Sequence, residues 1–228
     1  MYYLNNDPFF ILIIIALGLS LLAQWRVKST YNRFAKVAAA RGLPAEEVAR
    51  QILSHYGVNI PINQVPGNLT DHYDPRKKVL ALSQGVYGSR SIAAYGIAAH
   101  EAGHAIQHAK FYSPLMFRNW FYPAAALGSN LGPWLFIAGI FLTLPFLIDL
   151  GIVFFACAVL FSIVTLPVEF DASRRAMAAL RTNAYLSGQE LQGAQKVLSA
   201  AALTYVAATL MAILQFVRLL AMRNSRRN

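Results

Sequence analysis

Ser91-Ile92-Ala93-Ala94-Tyr95-Gly96-Ile97-Ala98-Ala99-His100-Glu101-Ala102-Gly103-His104 is an apolar, helix-compatible run that ends in an H-E-x-x-H core. On a helix, His100 and His104 lie one turn apart on the same face, so two imidazoles can reach one metal ion. Glu101 sits beside them, placed to take a proton from a metal-bound water. The ordinary alternative is a pair of surface histidines, and the apolar run before them speaks against it. The spacing is that of a zinc hydrolase.

Moving outward, the 228 residues are 57% hydrophobic and only 13% charged, with a mean hydropathy of +0.43. That is too apolar for an ordinary soluble domain, and the excess lies in a few long runs. The net charge of +10 could suggest nucleic acid. The basic residues instead surround hydrophobic spans, with no zinc-finger pattern and no basic-aromatic surface motif, so no nucleic-acid partner is expected. The bias of Lys and Arg toward the cytoplasmic side of a membrane accounts for them better. A single cysteine, Cys157, leaves neither a disulfide nor a cysteine zinc site within one chain.

The first predicted span is residues 8–25, about long enough to cross a bilayer core. Asp7 and the lack of Lys or Arg before it argue against a secretory signal. Arg26, Lys28, Arg33 and Lys36 follow, which points to an N-terminus outside and the next segment in the cytoplasm. Runs 124–148 and 150–168 are separated by Asp149 and predict a transmembrane hairpin. A weaker run, 197–217, holds Gln215 and is followed by Arg218. It reads equally as a fourth span or as an interfacial helix, because a fourth crossing puts four basic residues outside.

Between the spans, residues 26–120 form the predicted cytoplasmic part that carries the zinc helix. Leu43-Pro44-Ala45-Glu46-Glu47 reads as a helix start, Gly57 as its stop, and Ser89 or Ser91 as the cap of the zinc helix. Lys78–Ser83 is a strand candidate, either an edge that pairs with an extended substrate or a buried core strand. The composition of Asp71, His72, Asp74 and Pro75 favours a turn over a cleft wall. Residues 169–196 return as cytoplasmic helices. The whole of 1–228 is expected to act as one membrane unit.

A catalytic zinc usually takes three protein ligands and leaves one position for water. Gln107 and Lys110 exclude the longer H-E-x-x-H-x-x-G-x-x-H pattern. His108 is rotated roughly 80° around the helix from His100, so it suits a supporting or substrate contact better than ligation. Among the downstream acids, Asp149 falls at the far end of the hairpin. Glu169 follows two crossings after His104 and so returns to the same side, which makes it the expected third ligand. Asp171 is close enough to support a ligand, and Glu190 reads as part of a capping box with Ser187. For an oxyanion stabiliser, Arg174, Arg181, Tyr185 and Tyr205 all remain open.

Three segments together resemble a known family: Gly67–Arg76, Ala98–His108, and Leu166-Pro167-Val168-Glu169-Phe170-Asp171-Ala172-Ser173-Arg174-Arg175. They look like the YugP-type neutral zinc metallopeptidases, bacterial membrane proteins more distantly similar to HtpX-type proteases. The resemblance covers nearly the whole chain. It implies a gluzincin site, with Zn2+ on His100, His104 and Glu169 and with Glu101 as the base. HtpX-type proteases place Asp four residues after the third ligand, where this chain has Ser173, so Asp171 or Ser173 is expected to steady a ligand instead.

The expectations are therefore a mainly α, polytopic membrane protein with three to four transmembrane helices and a small cytoplasmic zincin-like α+β catalytic part. It would be a multi-pass protein of the bacterial inner (plasma) membrane, cleaving peptide or protein substrates, membrane proteins among them, as in quality control. The alternative is a non-catalytic zinc-binding membrane scaffold or regulator. Glu101 argues against that, since a closed structural site needs no base beside it. Oligomeric state is not legible.

Overall fold

A computed structural model describes residues 8–225. In chain order its elements are α1 (Pro8–Phe34), α2 (Ala45–His55), β1 (Ile62–Val65), β2 (His72–Asp74), β3 (Val79–Ser83), α3 (Ile92–Ala109), α4 (Ser113–Phe141), α5 (Pro145–Thr182) and α6 (Gly188–Asn224). The described residues are mainly helical with one small sheet, and among them four helices, α1, α4, α5 and α6, are long and apolar enough to cross a membrane.

The chain falls into two units. One gathers the chain to Ala23, Phe117–Leu166 and the chain from Thr204, while the other gathers Gln24–Met116 and Pro167–Leu203. In the first, α4 and α5 approach backbone to backbone. A Cβ on Gly128 would lie 2.1 Å from the carbonyl oxygen of Phe154, and one on Gly151 would lie 2.6 Å from the amide nitrogen of Phe136. Small residues permit such contact where neighbouring helices share no water-driven attraction. The α4–α5 turn lies at 142–144, earlier than Asp149. Thr143 takes φ 56°, Leu144 N–H donates to Gly139 O at 3.0 Å, and Pro145 opens α5, where its missing N–H costs nothing. Asp149 therefore sits inside α5 and pairs through both oxygens with the Arg223 guanidinium of α6. Thr209 donates to Ser162 O at 3.2 Å, and Phe216, Leu219 and Leu220 pack on Phe136, Ile148 and Ile152. These contacts set α6 antiparallel to α5.

In the second unit, α2 buries Ala45, Val48, Ala49, Ile52 and Leu53, one stripe at helical spacing. Pro44 stands at its N-cap, Glu46 and Glu47 occupy the first turn, and Gly57 with φ 71° ends it. The sheet order is β1-β3-β2, with β1 parallel and β2 antiparallel to β3. Of the two roles open to Lys78–Ser83, the buried core strand is the one observed and the substrate-pairing edge is not: β3 is the central strand and both of its sides are taken. Its sequence explains this, because Leu80, Ala81, Leu82 and Ser83 are all buried, with no exposed alternate face. The Asp71 carboxylate accepts the Ser83 N–H at 2.7 Å and hydroxyl at 2.9 Å, while Asp74 accepts two backbone N–H groups in an Asx turn. Only the end of that stretch is a turn: His72 and Asp74 lie in β2, and the turn begins at Pro75.

Helix α3 lies in the core of this unit. Ser91 caps it, accepting the Ala94 N–H at 3.2 Å. Its Tyr95 and Ile106, with Leu80 and Leu82 of β3, Ile52 of α2 and Leu180 of α5, are among the largest fully buried side chains. Gly103 lets α5 cross α3 closely, since a Cβ there would stand 2.7 Å from Ala172 O.

Candidate metal centre

His100, Glu101 and His104 project from the buried stretch of α3, and Glu169 lies on the part of α5 that belongs to the same unit. One ligand atom from each of His100, His104 and Glu169 lies within 4.8 Å of the others. The Glu169 Oε2 is 3.3 Å from His100 Nε2 and 3.6 Å from His104 Nε2. The rings are nearly perpendicular, at 83° with centroids 4.7 Å apart, so both Nε2 atoms face a common point. Two imidazole nitrogens and one carboxylate oxygen converging this way fit a divalent zinc-like ion.

The remote nitrogens of both rings are held. His100 Nδ1 meets Ser173 Oγ at 3.1 Å, and His104 Nδ1 meets Gln107 Oε1 at 3.0 Å. Gln107 then donates to Val168 O at 2.8 Å and to Asp171 Oδ2 at 2.9 Å. Asp171 is clasped in turn by Arg174 and Arg175, whose guanidinium lies over the Tyr112 ring. Of the predicted supporting residues, Ser173 thus touches a histidine of the cluster directly, and Asp171 reaches one through Gln107.

His108 stands apart from the cluster. Its Nδ1 meets the Tyr73 hydroxyl at 2.8 Å, and burial, with Lys78 adding, pushes its pKa down. Glu101 is 8% exposed. Burial pushes its pKa up to about 7; the His100 charge opposes this, and the Glu169 and Asp71 charges add to it. A carboxyl poised there can both take and return a proton near neutrality. Among the residues left open as oxyanion stabilisers, Arg174 is engaged by Asp171 and Tyr185 donates to Gln51 at 2.8 Å.

Gln107 is the residue that sequence reasoning missed, having weighed it only as a departure from a longer motif. Its one signal is position: three residues after His104, on the same face of a helix.

Comparison with known proteins places the chain in context. A family model described as "Putative neutral zinc metallopeptidase" matches residues 9–224. "Putative membrane protease YugP" of Bacillus subtilis (strain 168) is 46% identical over 211 residues, covering 92% of this chain and 94% of that protein. No solved structure matches the chain.

Proposed function

Because the chain belongs to the neutral zinc metallopeptidase family, we propose that it is a zinc-dependent membrane endopeptidase of gluzincin type. His100, His104 and Glu169 would hold the ion, and Glu101 would be the general base. The observation that carries this reading is the convergence of the His100 Nε2, His104 Nε2 and Glu169 Oε2 atoms beside a buried Glu101.

Zinc, when bound, supplies a water of lowered pKa and an electrophile for the scissile carbonyl. Glu101 accepts the proton that the attacking water gives up and returns it to the leaving amine nitrogen. Its raised pKa suits both steps. Ser173 and Gln107 hold the two imidazoles in place from behind.

The proposed setting is the bacterial plasma membrane, with the N-terminus outside and the site on the cytoplasmic side. Twelve of the twenty Lys and Arg residues lie between the first two predicted spans, which supports that orientation. Peptide or protein substrates, membrane proteins among them, fit such a location, and clearance of damaged membrane proteins is the role it suits. The test is zinc content and peptidase activity of the detergent-purified protein beside Glu101→Gln and Glu169→Ala. Zinc kept but cleavage lost in Glu101→Gln, with zinc weakened in Glu169→Ala, is the expected result. Equal cleavage by wild type and Glu101→Gln would sink the proposal.

A further inference from the structure

We propose that Gln107 is a positioning residue that fixes the tautomer and orientation of His104 and ties both ligand-bearing helices to one another. The inference rests on the zinc reading above.

Gln107 is 0% exposed, so every polar atom of its amide must find a partner within the protein. Its nitrogen faces two acceptors, Val168 O at 2.8 Å and Asp171 Oδ2 at 2.9 Å. Turned over, the amide would set an oxygen against a carbonyl and a carboxylate with no proton between them. The nitrogen must therefore point at α5 and the oxygen at His104. A carbonyl oxygen only accepts, so the bond of 3.0 Å requires the proton to sit on His104 Nδ1. In the neutral imidazole that leaves His104 Nε2 with the lone pair, beside the point shared with His100 and Glu169.

The second consequence is mechanical. Val168 immediately precedes Glu169, so one side chain of α3 grips the α5 backbone beside the third ligand while holding the second ligand from behind. Arg174 and Arg175 balance the charge of Asp171, and a neutral amide stands between it and the ring. The relay supplies direction to His104 more than negative charge. Ser173 holds His100, but a hydroxyl both donates and accepts and so sets no tautomer by itself.

The test uses the full-length protein in detergent and zinc alone as the probe. Zinc affinity is measured by competition with a chromophoric chelator for wild type and Gln107→Met, which keeps the volume and removes the bonds. Gln107→Met is expected to bind zinc roughly 10- to 100-fold more weakly. The zinc-free variant should melt somewhat below the zinc-free wild type, because the tie between α3 and α5 is lost, and the rise on adding zinc should shrink in addition. Unchanged affinity, or an equal loss of melting temperature with and without zinc, would overturn the role. Should Gln107→Met not fold, nitrogen-15 histidine NMR of zinc-loaded wild type decides. A slowly exchanging, hydrogen-bonded Nδ1 proton on His104 is expected, and a freely exchanging one overturns the inference. Wild type that binds no zinc at all would instead fell the proposed function and this inference with it.

Discussion

In the proposed enzyme, the surroundings of Glu101 and Glu169 divide the work between them. Glu169 sets one oxygen against both Nε2 atoms, whereas Glu101 is pushed toward neutrality by burial. Removing the Glu101 carboxylate should cost about 10²- to 10⁴-fold in kcat while leaving zinc content unchanged, read by steady-state kinetics and metal analysis. Ser173→Ala should act differently, loosening His100 from behind and lowering zinc affinity by roughly tenfold with Glu101 untouched, as chelator competition would show. At this scale the sequence was most informative where residue type alone restricts chemistry. His100, Glu101, His104 and Glu169 could be picked out because few side chains ligate metal or move protons. Gln107 could not, because a glutamine is set apart only by where its amide points, and that depends on α5 crossing behind α3.

The elements tell a similar story about what local sequence carries. The caps and breaks of α2 and α3 were readable, since Pro44, Gly57 and Ser91 act within a residue or two of themselves. The place of β3 in its sheet was not, because strand order is set by partners distant in sequence. The hairpin turn also eluded a reading based on charge. Asp149 looked like a boundary, yet its charge is answered by Arg223, and backbone geometry at Thr143 and Pro145 made the turn. The α3–α5 crossing offers a sharp test. Gly103→Ala would place a methyl 2.7 Å from Ala172 O and 3.3 Å from its Cα, against backbone that cannot yield as a side chain would. We expect a loss of about 1–3 kcal/mol in stability by thermal or denaturant unfolding. Zinc affinity should fall as well, because α5 carries Glu169.

For the whole molecule, the open matter was whether the last helix crosses the membrane. α6 runs unbroken from Gly188 to Asn224, and Arg223 pairs with Asp149 near the start of α5. Both features favour a fourth crossing over an interfacial helix. In the proposed topology the residues after Arg218 then lie outside, against the usual charge bias, with Arg223 neutralised by its partner. Ser225→Cys in a Cys157→Ser background should react with a membrane-impermeant maleimide added to intact cells, whereas Ser54→Cys should not. Labelling of Ser54→Cys alone would reverse the orientation, and labelling of neither would favour the interfacial helix. The order of ligands along the chain has a further effect during synthesis. His100 and His104 emerge early, but Glu169 follows only after α4 and most of α5 have been made. A nascent chain therefore holds two thirds of its ligand set until the hairpin is translated. In the proposed enzyme, proteolytic competence waits on synthesis of the hairpin, after the first span has already emerged.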